Sequence, residues 1–308
     1  MPEPTTQTLT EPTTYTLDVP GAVLTYDVRR NDASTEPILF LIGSPMGAAG
    51  FGTLCGFFTD RTIVTYDPRG SERSTKADPT TESTPDQHAD DLHRIITALG
   101  GGPVDLFASS GGAVNALALV AKHPEDVRTL VAHEPPAAAV LPDRENAMAA
   151  ARAINETYRR SGFGAGMAHF IAVVQHEGPF PDDYAALPPP DPAMFGMPTE
   201  DDGSRTDVLL AQNMITCTHY EHDFDALRKA STQIVMAAGA EGEGTMANRG
   251  AKEVARRLGT EPVIFPSHHG GFLGGEYGQA GEPEAFAAKL REVLSNVAGG
   301  EEDDAAHG

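Results

Sequence analysis

Val104-Asp105-Leu106-Phe107-Ala108-Ser109-Ser110-Gly111-Gly112-Ala113 is the stretch on which the reading of this chain turns. An apolar run ends on two serines among tiny residues, and residues 114–122 continue it as an apolar helix. Strand, serine and helix in immediate succession is the context that exposes a hydroxyl on a sharp turn. So tight a bend needs little side chain two positions before and after its centre, because those positions crowd each other and the helix. Around Ser110 they are Ala108 and Gly112, whereas around Ser109 they are Phe107 and Gly111. Ser110 is therefore the better centre.

Outward from this turn the chain alternates short β-branched runs with helix-length amphipathic segments, the pattern of a mostly parallel sheet covered by helices on both faces. Eight strands are expected: Tyr15–Val19, Val23–Arg29, Ile38–Ile42, Thr62–Tyr66, Val104–Phe107, Val127–Ala132, Ile234–Ala238 and Val263–Phe265. The first two flank Pro20-Gly21 as a hairpin, and the later ones are separated by the crossovers that parallel pairing requires. Thr84-Pro85-Asp86-Gln87 predicts a capped helix start leading into Leu92, Ile95, Ile96 and Leu99. Phe286, Leu290, Val293, Leu294 and Val297 predict a last helix lying with one face on the sheet.

The alternation stops between residues 137 and 230. Helical stretches at Asn146–Arg159 and Met167–His176 surround a loop with Pro179, Pro181, Pro188, Pro189, Pro190 and Pro192, and no strand candidate fits. This region is expected to be an inserted helical cap over a core made of residues 13–136 and 231–297. Residues 1–12 and 298–308, the latter with Glu301-Glu302-Asp303-Asp304, are expected to be mobile tails.

Composition narrows the possible roles. The 308 residues are 40% hydrophobic and 21% charged, which suits one large folded α/β domain with an insertion. Asp plus Glu number 44 against 22 Lys plus Arg, a net charge of −22 that repels nucleic acid and anionic membrane surfaces. Cys55 and Cys217 cannot form a disulfide framework and lie in no ligand-spaced cluster, so both are expected to be buried free thiols. Met1-Pro2-Glu3-Pro4-Thr5-Thr6 lacks the basic and apolar regions of a secretory signal, and no run approaches the ~20 apolar residues of a membrane span. The expected location is the cytoplasm.

Ala108-Ser109-Ser110-Gly111-Gly112 resembles the G-x-S-x-G nucleophile elbow of the α/β-hydrolase superfamily, with alanine in place of the first glycine. Further stretches resemble the same family in the right order. Ile38-Leu39-Phe40-Leu41-Ile42-Gly43-Ser44-Pro45-Met46-Gly47 is similar to the strand and His-Gly loop that supplies half of the oxyanion hole, with Ile42 where histidine is usual. The chemistry needs a backbone N–H there. Ser44 has one and Pro45 does not, so the N–H groups of Ser44 and Gly111 are the expected pair, with Met46 a lesser option. Tyr66-Asp67-Pro68-Arg69-Gly70-Ser71-Glu72-Arg73-Ser74 is similar to the family's D-x-R-G-x-G-x-S turn, for which a structural role is expected. Val263-Ile264-Phe265-Pro266-Ser267-His268-His269-Gly270-Gly271-Phe272 puts a histidine past the last strand, and His269 before Gly-Gly-Phe matches the family's general base better than His268. A histidine pair also suits a metal, but no third ligand spacing supports one, so no metal is expected, and the triad chemistry that the resemblance implies requires no organic cofactor.

Two places compete for the acid that orients the imidazole. The family's usual loop, after Ile234–Ala238, offers Glu241 and Glu243 but has Gly242 where aspartate is common. Glu134, at the end of the strand after the elbow helix, matches a second site that certain haloalkane dehalogenases use. The 24 positions from Ser110 to Glu134 leave room for one helix and one return strand, which brings the carboxylate to the carboxyl edge of the sheet. Glu134 is preferred and Glu241 is the alternative. His123, at a helix C-terminus, and His169, His176, His219 and His222 in the insertion are expected to be structural or surface residues.

The resemblance implies a serine hydrolase acting through Ser110, His269 and an acid on a small-molecule carboxylic ester, thioester or lactone, since a cap implies a pocket rather than a groove. Amide and carbon-carbon cleavage stay open, while epoxide hydrolysis and hydrolytic dehalogenation are disfavoured because relatives that perform them use an aspartate nucleophile. The alternatives are a cofactor-free perhydrolase, haloperoxidase-like protein or acyltransferase with the same triad, and a non-catalytic ligand-binding relative. The oligomeric state is not legible.

Overall fold

The computed structural model describes residues 11–305, with the side chains of residues 297–305 excepted. The expectations of mobility for residues 1–10 and 306–308, and the placement of the Val297 side chain, lie outside what is described.

Among the described residues nine strands form one sheet. β1 (Thr13–Val19) and β2 (Ala22–Arg29) pair as a hairpin in which Val19 faces Ala22. Gly21 takes φ +74° in its two-residue turn, a conformation glycine adopts without steric cost. Next in chain order come β3 (Leu39–Ile42), β4 (Ile63–Asp67), β5 (Thr75–Lys76), β6 (Val104–Ser109), β7 (Val127–His133), β8 (Gln233–Gly239) and β9 (Val263–Phe265). Across the sheet the order is β1-β2-β4-β3-β6-β7-β8-β9, and from β4 to β9 all neighbours run parallel. The expected count of eight misses β5, which pairs with β2. Two residues are too few to leave a periodic signal. β5 forms because Ser74, just before it, accepts the Thr25 N–H on its hydroxyl and donates to the Asp67 carbonyl.

β3, β4, β6 and β7 are buried almost without a break because both sheet faces are covered there. Phe40, Ile42, Leu106 and Ala108 pack on one side with α1 (Pro85–Ala98), α2 (Gly111–Lys122) and α5 (Met246–Leu258). Leu39, Leu41 and Phe107 alternate to the other, against Phe286, Leu290, Val293 and Leu294 of α6 (Pro283–Ala305). The backbone of α6 runs past the expected end near residue 297. At α1 the Thr84 hydroxyl accepts the Gln87 N–H and Gln87 Oε1 accepts the Thr84 N–H, which closes the expected capping box.

Residues 137–230 contain helices and turns but no strand. The two helical stretches expected there are arms of one element, α3 (Arg144–Val174), broken at Gly162 with φ 83° and ψ −172°. A π-helical turn, Leu209–Asn213, leads straight into α4 (Met214–Thr218). Ile154, Tyr158, Val173, Phe180, Leu210 and Met214 give this region an apolar cluster of its own. No helix among the described residues is long and apolar enough to cross a membrane.

Candidate active site

Ser110 sits at the junction of β6 and α2 with φ 58° and ψ −127°, a left-handed backbone rare for a non-glycine residue. Packing imposes this turn. The Ser110 N–H donates to the His133 carbonyl of the neighbouring strand at 2.9 Å. A Cβ at Gly111 would lie 2.5 Å from the Ser44 carbonyl oxygen, and one at Gly112 would lie 2.9 Å from the Gly43 backbone. Both glycines are needed because the loop after β3 presses directly on the first turn of α2.

One strand over, Glu134 follows β7 with φ 47° and is fully buried. Its Oε2 accepts a 2.7 Å hydrogen bond from His269 Nδ1, and its Oε1 accepts from the Gly239 N–H at 2.9 Å and from Asn248 Nδ2 at 3.0 Å. Burial pushes the carboxyl pKa up, but the His269 hydrogen bond, the nearby His133 and His269 rings and the Asn248 amide outweigh it and hold the group at about 2. Glu134 is thus ionised at neutral pH. An ionised acceptor keeps the proton of His269 on Nδ1 and leaves Nε2 as the free lone pair. The histidine loop beyond β9 is tied down by the Glu241 N–H on the Ser267 carbonyl, and Gly239 must lack a side chain because a Cβ would meet that carbonyl at 2.9 Å.

The remaining expected residues fall as follows. His268 is engaged within its own loop, with Nδ1 accepting the Gly270 N–H at 3.0 Å and Nε2 lying 3.3 Å from the Ala280 carbonyl. Glu241 is exposed, and Glu243 meets Lys252 at the surface. Ser44 is buried and accepts Asn213 Nδ2 on its hydroxyl at 3.0 Å. Among the described residues the backbone N–H groups of Ser44 and Gly111 donate to no protein acceptor. Met46 is half-buried beside Gly43 and Gly50. The Asp67 carboxylate receives the Ala48 N–H at 2.8 Å and Arg73 Nε at 2.6 Å, so the turn after β4 anchors the loop that carries Ser44. Cys55 and Cys217 are free and buried. The Ser110 hydroxyl makes no hydrogen bond among the described residues.

Three residues at the site escaped the sequence reading. His133 is buried with Nδ1 3.3 Å from Ser109 Oγ and its ring 5.9 Å from that of His269. Burial lowers its pKa to about 4 against the pull of Glu134, so it is a neutral ring behind the hydrogen-bonded Glu134 and His269. It stands next to Glu134 in the sequence, and that adjacency was the available signal. Asn248 on α5 and Asn213 in the insertion have no spacing that marks them.

His93, His123 and Asp126 bring ligand-type atoms within 4.8 Å of one another, at the amino end of β7 and thus across the sheet from Ser110. His93 Nδ1 is already committed to Asp126 at 2.6 Å. The two rings stack at 3.9 Å with 13° between planes, so their in-plane lone pairs run nearly parallel instead of converging on one ion. A separate cavity of about 240 Å³ in the insertion is lined by Thr157, Arg160 and His169 and includes neither Ser110 nor His269.

The family model described as "alpha/beta hydrolase fold" matches residues 37–229. A protein of Bacillus subtilis (strain 168) named "Uncharacterized hydrolase YraK" is 29% identical over 263 residues, covering 83% of this chain and 89% of its own. Among solved structures, a thermophilic esterase from Thermogutta terrifontis superposes with a TM-score of 0.61 at 20% identity, over 93% of this chain and 99% of that one. An enol-lactonase from Burkholderia xenovorans LB400 does so with a TM-score of 0.61 at 16% identity, over 91% of this chain and 100% of that one. These two similarities speak to the fold.

Proposed function

The chain belongs to the α/β-hydrolase fold family, and on that premise we propose that it is a serine hydrolase cleaving a small-molecule carboxylic ester, thioester or lactone. Ser110 is the nucleophile, His269 the general base and Glu134 the acid. The observation that carries the reading is the 2.7 Å bond from His269 to a buried, ionised Glu134, beside a serine held at positive φ on the adjacent strand end.

His269 Nε2 takes the hydroxyl proton as Ser110 Oγ attacks the carbonyl carbon, and Glu134 stabilises the imidazolium that forms. The negative charge moves to the carbonyl oxygen, which the N–H groups of Ser44 and Gly111 receive. Collapse breaks the bond to the leaving group, and His269 returns its proton there. Water, deprotonated by the same ring, then releases the acyl group from Ser110. Residues 137–230 act as a cap: Asn213 touches Ser44 and Cys217 lies against Gly111, so the acyl group enters beneath them. Such an enclosure favours small substrates. Ester and lactone cleavage is also what the names of the two structural neighbours carry, which makes it the class to test first.

The test is labelling with a fluorophosphonate probe, followed by turnover on an ester panel of graded acyl length. Wild type should label once and hydrolyse, and Ser110→Ala and His269→Ala should abolish both. Normal labelling of the Ser110→Ala protein would dismiss the mechanism.

A further inference from the structure

The π-helical turn Leu209–Asn213 ends on an asparagine that leaves the apolar cluster of its own region and reaches the core. Asn213 is 3% exposed, and its Nδ2 donates to Ser44 Oγ at 3.0 Å. Its Oδ1 is buried and unpartnered. Four residues on, the Cys217 sulfur lies 3.2 Å from where a Cβ on Gly111 would stand. Residues at i and i+4 share a helix face, so one face of this segment covers both residues whose N–H groups are assigned to the oxyanion. The turn is also fastened from outside, with Gln212 Nε2 on the Pro79 carbonyl at 3.1 Å and Lys76 Nζ on Gln212 Oε1 at 3.3 Å. A π-turn carries one residue more than an α-turn, and that extra residue changes which side chain faces the core.

We propose that Asn213 is a positioning residue for the oxyanion site: its amide holds the Ser44 hydroxyl and thereby sets the direction of the Ser44 N–H. This rests on the serine-hydrolase reading. Ser44 needs such an anchor because it follows Gly43, which has no side chain to restrict the peptide between them. The amide is neutral, so it fixes the loop without placing a charge beside the developing oxyanion. Because the anchor comes from the inserted segment, the oxyanion site is complete only with that segment docked.

The experiment uses the full-length protein with p-nitrophenyl butyrate. Asn213→Ala should lower kcat by about 10- to 100-fold, less than the roughly 10²- to 10³-fold cost of removing an oxyanion donor outright because the N–H is displaced and not lost, and leave KM within about twofold. Ser44→Ala, which removes the hydroxyl but keeps the backbone N–H, should lose a similar factor. The double variant should be no worse than either single, since both remove one contact. Asn213→Asp has the same shape but puts a carboxylate beside the oxyanion. Its kcat relative to wild type at the same pH should fall further and recover as pH is lowered, a signature that mere loosening of the fold would not give. Wild-type kcat in Asn213→Ala, or losses that multiply in the double variant, would overturn the proposal. If Asn213→Ala does not fold, a kcat in Asn213→Asp with the wild-type pH dependence would overturn it instead. Ser110→Ala separates the two layers: turnover that survives it removes the hydrolase reading itself, whereas an inert Asn213 beside an essential Ser110 removes only this inference.

Discussion

Glu134 has a stated use for both of its oxygens, which a carboxylate buried this deeply requires. Replacing it by glutamine keeps the size but puts a neutral amide against His269 Nδ1, with nothing to stabilise an imidazolium. Glu134→Gln should therefore lower kcat by about 10⁴, while Glu241→Gln, at an exposed position, leaves turnover unchanged. Steady-state kinetics on the two variants check this. The same residue links stability to pH. Its folded pKa of about 2 lies below the ordinary value of 4.5, so its contribution is complete above pH 4.5 and is lost as pH falls towards 2. The size is about 3 kcal/mol. That Glu134 and His269 would meet was legible because strand ends set both positions. Asn213 and Asn248 were not legible, because the direction of a helix side chain towards a distant loop depends on packing that no local spacing encodes.

At the scale of elements, the eight expected strands were legible to within two residues because a short β-branched or apolar run marks each of them, and β5 was invisible because two residues are too few to make a run. The insertion was legible only as a break in that pattern. Its helix α3 carries a bend at Gly162 that divides what the sequence showed as two stretches. The elbow and the α1 start make a useful contrast. At Gly112 an added methyl would strike the Gly43 backbone, which has no rotamer to change, so Gly112→Ala should cost about 1–3 kcal/mol of stability. It should also lower kcat by forcing the Ser44 loop from α2. Thr84→Ala removes a cap at a helix end remote from Ser110 and should cost about 1 kcal/mol with kcat unchanged. Urea unfolding and kinetics on the same two variants separate the effects: an equal kcat in Gly112→Ala would mean that the elbow tolerates the displacement.

For the molecule as a whole, two opposing responses to acid compete. The net charge of −22 means that protonating surface carboxylates relieves repulsion and favours the folded state. Against this stand three of the four histidines buried among the described residues. His88 and His222 have both ring nitrogens without partners, and His133 has one. Burial lowers His88 to about 3, with Arg69 and Lys76 adding to the shift, and lowers His133 and His222 to about 4. Unfolded, each would titrate near the ordinary imidazole value of 6.5. Between those limits the unfolded chain binds more protons than the folded one, so stability is complete above pH 6.5 and falls as pH drops towards 4. With all three contributing, the slope reaches about 4 kcal/mol per pH unit near pH 5. Surface repulsion is screened over about 8 Å at physiological ionic strength, whereas buried rings are not, so the histidines should prevail. Thermal melts in 0.15 M salt should show Tm falling steeply from pH 7 to pH 5. His222→Met, which keeps the volume without the proton site, should flatten that fall by roughly a third. A Tm that rises on acidification would mean that relief of surface repulsion outweighs the buried rings.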